Sequence, residues 1–502
     1  MSNIRRQSII SSLIIYFGFA VGLLNTYLFT KQGLFENSEF GLYNAFIAIA
    51  TLMMALSNMA MPSYIYKFFP YYKDHLEPKK NDQLTVAFTT AVIGFILVLI
   101  AGIVFKGLVV KKYITNAPGI VTHYNWIFLL AFGLLVFTIL EAYSWQLHKS
   151  VLTNFLREGM WRLFTTVLIA LFSFGIISNF DLFIKLFSLS YPFIAVILLM
   201  FLLVTRRIHF TFSISKVTRR FSKSILRLCV FIYAGSFIFT VAQVFDSLVI
   251  TSKLEDGLAW LAVYSVAQNL ASMIQVPQRG IVAAAIPHLA RAWKEKNMAL
   301  IQKIYQRSSI NQLIFALCLL SLMVLSFDDV VTTFKLKDAF LNAYFAVIFL
   351  GLTKVVDMGT GLNSQIIATS TYWKFEMLSG VVLLLVMLPL SYLFTVSYGI
   401  SGTAIAQLIS VSVYNIIRIL FLWKKFRLFP FTIHTVYAIL FAAACFAVCY
   451  FGFSRFHGWT GIFLRSAAFT LLYAVGVIYL KLSPDVHAVV TAIRNRLGFN
   501  RS

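Results

Sequence analysis

Among the ionisable side chains inside, or at the edge of, long apolar stretches of this 502-residue chain, six are candidates for function: Glu141, Asp246, Arg279, Lys354, Asp357 and Arg418. Placing such a group in hydrocarbon costs at least ~2.5–3.5 kcal/mol on insertion scales, so it turns towards a protein interior and marks ion or substrate paths. The carboxylates Asp246, Glu141 and Asp357 have the chemistry to carry a proton or Na+ as coupling ion. The cations Arg279, Lys354 and Arg418 have the chemistry to hold an anion, the guanidinium through a bidentate fork. Near Arg279 runs an amide stripe of Gln268, Asn269, Gln275 and Gln278, with Gln268 and Gln275 seven residues apart on one helical face. Each charge also has a plain packing role. Lys354 and Asp357, at i and i+3, are spaced to neutralise each other. Asp246 suits a hydrogen-bonded polar contact, and Glu141 and Arg418 stand near stretch ends, where reaching the interface is cheap.

Other chemistry is not encoded. The four cysteines (Cys229, Cys318, Cys445, Cys449) all fall in apolar stretches without a histidine at ligand spacing, so they read as packing groups and no metal is expected. The eight histidines lie in loops or near stretch ends, without an HExxH pattern, and no GxxxxGK[ST] is present. No organic cofactor is implied.

The elements that must position these groups are fourteen apolar stretches, at 9–30, 41–66, 84–105, 124–147, 159–179, 182–204, 228–250, 258–278, 310–327, 339–358, 377–396, 402–423, 433–453 and 461–480. Each approaches the ~20 residues that cross a bilayer core as a helix. Apolar residues make up 60% of the chain and charged ones 12%, and mean hydropathy is +0.84, which excludes an ordinary soluble domain. The first stretch is too long for a cleaved signal and has no small-residue cleavage site before Lys31. The predicted fold is therefore an all-α polytopic membrane protein with about 14 transmembrane helices.

The net charge of +24 suggests nucleic acid until its placement is examined. Of 42 Lys and Arg, 29 fall on the side of the amino terminus and 10 on the other; Arg279, Lys354 and Arg418 are the remainder. That asymmetry is the positive-inside bias, and it predicts cytoplasmic N- and C-termini. The charge then reflects orientation and contact with anionic membrane lipids, and no nucleic acid is expected. One loop runs against the bias: Lys106, Lys111 and Lys112 fall outside. The tryptophans, Trp293 apart, sit near stretch ends, as an aromatic belt does.

The basic segment 206–227 divides the chain into six stretches, six, then two. Asn25 precedes Tyr43 by 18 residues, as Asp246 precedes Tyr264; Glu141 precedes Arg157 by 16, and Asp357 precedes Lys374 by 17. These spacings suggest duplication: an N-terminal lobe at 1–205, a basic linker at 206–227, a C-terminal lobe at 228–430 and two extra helices at 431–482. Such a pair of lobes predicts a substrate site between them, near their shared axis. Pro62 after Asn58 in the second stretch, and Pro277 in the eighth, predict breaks that act as hinges. Residues 483–502 read as a cytoplasmic amphipathic tail, opened by Ser483-Pro484-Asp485.

Certain motifs resemble a known family. They are Gly361-Leu-Asn-Ser-Gln365, Tyr398-Gly-Ile-Ser-Gly-Thr-Ala404, Asn415 with Arg418, Trp423-Lys-Lys, Glu39-Phe-Gly-Leu-Tyr43 and Val263-Tyr-Ser-Val-Ala267. Together they resemble the polysaccharide-transporter, O-antigen flippase-like branch of the multidrug/oligosaccharidyl-lipid/polysaccharide exporter superfamily. The resemblance implies two six-helix lobes around a cavity, and a bacterial inner-membrane flippase. Its substrate would be a polyprenyl-diphosphate-linked oligosaccharide carried outward by alternating access, with polysaccharide polymerase machinery as a partner. Arg279 would meet the diphosphate. The lipid II flippase is a relative, but span 1 from residue 9 onward carries no Arg or Lys to match its basic cavity. Two alternatives stay open: a cation-coupled multidrug antiporter of the same fold, and a membrane-embedded sugar polymerase or transferase. The short loops leave little surface for the latter.

Overall fold

A computed structural model of the chain describes residues 2–485; the side chains of residues 2–9, 12, 279, 283 and 284 are outside the description. The amphipathic tail expected over 483–502 lies almost wholly outside the described residues. All described elements are helices, as lipid requires, since a helix satisfies its own backbone hydrogen bonds. Twelve of them are individually long and apolar enough to cross a membrane. Large apolar side chains such as Leu97, Leu385, Leu440 and Leu471 are exposed, a surface suited to lipid rather than water.

The chain packs as two compact units, residues 1–262 and 263–502. The first contains α1 (Ser2–Thr30), α2 (Asn37–Ser57), α3 (Met61–His75), α4 (Gln83–Val104) and two short helices, α5 (Lys106–Tyr113) and α6 (Pro118–Thr122). It continues with α7 (Tyr124–Gln146), α8 (Ser150–Asn154), a π-helical turn (Phe155–Met160), α9 (Trp161–Ser173), α10 (Phe180–Phe187), α11 (Ser190–Val204) and α12 (Lys216–Lys253). Half of the expected linker 206–227 is thus the start of α12, which packs on α2 and α3. By packing, α12 joins the first unit, and the boundary falls within α13 (Gly257–Ile274).

The second stretch of the sequence is two helices. Met59 and Ala60 adopt left-handed backbone, and the Ala60 N–H donates to Asn58 Oδ1 at 2.8 Å. The break frees the Leu56 carbonyl, which accepts from the Tyr233 hydroxyl at 2.9 Å. On α4, a Cβ at Gly94 would lie 2.3 Å from the Ser57 carbonyl oxygen, so only glycine fits against the break.

The second unit repeats this theme. α13 stops at Ile274 and α14 (Val276–Lys294) restarts at once. Pro62 and Pro277 both occupy the first turn of the restarted helix, where a missing N–H costs nothing. The prolines inside helices are Pro70, Pro287 and Pro389. Then follow α15 (Met298–Thr333), α16 (Tyr344–Gly359), α17 (Asn363–Thr369), α18 (Lys374–Phe426), α19 (Ile433–Gly452) and α20 (Gly458–Tyr479). α19 and α20 pack on α15 through Ala442, Cys445, Phe469 and Tyr473. Arg465 ties α20 to Asp329 of α15 at 2.6 Å.

The 53 residues of α18 are not one rod. Gly399 has φ 61° and ψ −147°, outside any helix. Eight residues of straight helix span ~12 Å, yet the Thr395 and Thr403 hydroxyls are 2.7 Å apart. The chain therefore folds back at Gly399 into two antiparallel arms. A Cβ on Gly402 would stand 2.0 Å from the Phe394 carbonyl oxygen. The Tyr398–Ala404 motif is this corner, with one glycine for the turn and one for the close approach. With the fold-back, and with 150–173 helical throughout, a helix lies over each of the fourteen apolar stretches.

Candidate functional site

The second unit holds a connected polar network. It forms because α16 ends at a tight turn: Gly361 has φ 68°, and a Cβ there would come within 3.0 Å of Ser308 Oγ and the Ser309 amide nitrogen of α15. That turn projects Thr360, Asn363 and Ser364 towards the two arms of α18. Gln275 Nε2, at the α13–α14 break, donates to Asp357 Oδ2 at 3.0 Å. Asn415 Nδ2 donates to Asp357 Oδ1 at 3.3 Å. Asn415 Oδ1 accepts from Thr360 Oγ1 at 3.0 Å and Asn363 Nδ2 at 2.7 Å.

Arg418 closes the chain of contacts. Its Nη1 donates to Asn363 Oδ1 at 3.4 Å, its Nη2 pairs with Glu376 Oε1, and its guanidinium lies 3.7 Å from the Tyr414 ring centroid. Ser364 Oγ also donates to Glu376 Oε1, at 2.7 Å. Arg418, Asn415, Asn363 and Thr360 are buried, whereas Gln275 and Asp357 are partly exposed. Glu376 Oε2 and Arg418 Nε are buried without a partner. Such a network has a charge at each end and amides between, so its hydrogen bonds polarise one another.

Asp357 and Lys354 form no ion pair within 4.0 Å among the described residues, although their spacing allows one. The Asp357 oxygens are taken by the amides of Gln275 and Asn415 instead. Gln268 and Asn269 are half-buried on α13. Arg279 lies on the first turn of α14, and its side chain is outside the described residues.

The first unit arranges its charges differently. Buried Glu141 accepts from Arg157 Nη1 at 2.9 Å, with Arg157 half-exposed on the π-helical turn, a feature often found at functional sites. On the same turn, Glu158 pairs with Arg162 at 3.0 Å. α1 packs tightly here: a Cβ on Gly18 would lie 2.3 Å from the Glu158 carbonyl oxygen, and Asn25 Nδ2 donates to the Arg162 carbonyl at 2.9 Å. Asp246 is buried on α12. A separate cleft of ≈ 550 Å³ gathers Glu36 and Glu39 at the start of α2, Asn116 and His123 from the connections after α5 and α6, and Asp256 after α12. Among the described residues, no group of three His, Cys, Asp or Glu side chains is placed to hold a metal.

Glu376 and Thr360 had no separate signal in the sequence, and Asn363 had only its place in the Gly361–Gln365 motif. Glu376 falls one residue outside an apolar stretch, and the other two sit in a turn. Glu158 and Arg162 were hidden because a stretch end rich in charges reads as an interface.

A helical bundle of this size, with twelve helices long and apolar enough to cross a membrane and with charges and amides buried inside it, is the architecture of a multi-pass membrane protein. The chain belongs to the polysaccharide biosynthesis protein family, which it matches over residues 4–293. Its fold is similar to that of the lipid II flippase MurJ in an inward closed conformation, with 14% identity, a TM-score of 0.71, and 94% of this chain and 99% of that chain covered. It is also similar to an inward-facing multidrug resistance MATE family transporter of the MOP superfamily, at 17% identity and a TM-score of 0.62, covering 84% and 98%. No curated protein sequence matches it.

Proposed function

We propose that this protein flips polyprenyl-diphosphate-linked oligosaccharides, as O-antigen, capsule or exopolysaccharide repeat units, from the cytoplasmic to the outer leaflet of a bacterial inner membrane. It does so by alternating access, with both termini cytoplasmic and with lobes at 1–205 and 228–430. The observation that carries this reading is membership of a polysaccharide biosynthesis family joined to a fold similar to a lipid flippase over 94% of the chain. In this reading the diphosphate and sugar are held by Arg279, Lys354, Gln268, Asn269 and Gln275. Arg418 is committed to Glu376 and Asn363 in this structure, so it would reach an anion only after that pair opens. Asp357, Asp246 and Glu141 are the carboxylates for a proton or Na+ as coupling ion. Polysaccharide polymerase machinery would receive the product.

The experiment is deletion of the gene with leaflet-resolved detection of lipid-linked units. Accumulation on the inner leaflet and loss of surface polysaccharide are expected. Units that still reach the outer leaflet at the normal rate would sink the proposal. The MATE likeness favours one second reading, a cation-coupled multidrug antiporter; intact polysaccharide with heightened sensitivity to cationic dyes would select it.

A further inference from the structure

The three lysines that break the charge bias have a structural setting of their own. α4, a candidate span, ends at Val104, and α5 begins two residues later with Lys106. The helix is held from below. Tyr113 is buried where α5 packs on α12, Asn116 Nδ2 donates to the Ser252 carbonyl at 3.1 Å, and Ala117 and Ile120 are buried. Everything on the other side is exposed: Lys106, Lys111 and Lys112, with Val104, Phe105, Leu108 and Ile114 among them. Phe105, Leu108 and Lys112 follow one face at i, i+3 and i+7, and Leu108 neighbours Lys111 at i+3. Apolar and cationic groups thus share a single exposed surface, beside the end of a span.

These lysines lack a countercharge. No Asp or Glu occurs between Asp82 and Glu141 in the sequence. Among the described residues none of the three forms an ion pair, the carboxylates of the neighbouring cleft included. Their nearest stabilising contacts are aromatic faces, Tyr124 for Lys106 at 6.0 Å and Tyr113 for Lys112 at 5.9 Å, distances at which a cation–π contact is weak. Lysines that close to a span end stand at the depth of lipid phosphates, and apolar neighbours such as Leu108 suit the acyl boundary below them.

We propose that α5 is an interfacial platform that binds the head groups of anionic phospholipids, in the leaflet opposite the basic segment 206–227. The occupant is the bilayer surface itself, not a soluble anion and not a second copy of the chain. This anchors the α4–α7 connection to one leaflet independently of what is transported. Attraction to an anionic surface strengthens on the order of fivefold per lysine and is screened by salt.

Gly107 supplies the probe position. It is exposed, has helical backbone, and a Cβ there meets nothing within 4 Å. The full-length Gly107→Cys protein is labelled with an environment-sensitive thiol dye, with wild type treated alike as background, since its own thiols are buried or half-buried. It is reconstituted in phosphatidylcholine vesicles with and without phosphatidylglycerol. With phosphatidylglycerol, the dye emission shifts to the blue and quenching by aqueous acrylamide falls severalfold. High salt reverses both changes. The K106Q/K111Q/K112Q variant loses the response, and K106R/K111R/K112R retains it, which separates charge loss from misfolding. The proposal is overturned by an identical signal in the two vesicle types. It is equally overturned if inorganic phosphate alone reproduces the shift, or if the shift follows protein density rather than lipid charge.

Discussion

The charged groups of the two units use the same chemistry in opposite settings. In the second unit Arg418 is buried among Asn363, Tyr414 and Glu376, and its contacts continue through Asn415 to Asp357 and Gln275. In the first unit Glu141 is buried, but its partner Arg157 is half-exposed, and Glu158 on the same turn and Arg162 on α9 are partly open. A guanidinium sealed from solvent has no substitute when a partner is lost; one at a surface has water. The second unit therefore holds one cooperative polar assembly, and the first holds separable pairs.

The largest effect expected from this difference is at Arg418. Arg418→Ala strands Glu376 in a mostly buried site, at a cost of about 3–5 kcal/mol, read as a fall in the thermal unfolding midpoint of the purified protein. Arg418→Met combined with Glu376→Gln removes both charges and recovers most of that loss; no recovery would show that the pair is not the source. Gly402→Ala comes next, at ~1–3 kcal/mol or more, since its Cβ cannot coexist with the Phe394 carbonyl oxygen. Asn415→Ala leaves Asp357 Oδ1 without its Asn415 donor and removes an acceptor shared by Thr360 and Asn363, at about 1–3 kcal/mol. Glu141→Ala costs only about 1 kcal/mol, because the Arg157 guanidinium that it strands is half-exposed and water takes the carboxylate's place. A loss as large as that at Arg418 would abolish the contrast between the units. Lys80→Ala, in a pair more than two-thirds exposed on both sides, leaves the midpoint unchanged and serves as the control.

Much of the candidate site was legible as residue types and little of it as partnerships. Asp357, Gln275 and Arg418 stood out because polar groups in apolar stretches are expensive. Spacing suggested that Asp357 would meet Lys354, since only residues on its own helix are at a known distance. The actual partners, Gln275 and Asn415, come from 82 residues before and 58 after. Glu376 escaped because burial of a group at a helix start depends on what packs over it, here the returning arm of α18.

By itself, the sequence determined the membrane class, the helical fold and the places where helices run, because hydrocarbon permits one backbone solution and demands a minimum apolar length. It also determined the breaks near Pro62 and Pro277 and the separation of stretches 377–396 and 402–423, since these are local properties of the chain. Tertiary structure alone decided that Arg418 belongs to Glu376, and that Lys106, Lys111 and Lys112 share one exposed face with apolar groups. Those outcomes depend on which surfaces meet, and burial converts a marginal surface charge pair into one whose partners cannot be exchanged for water.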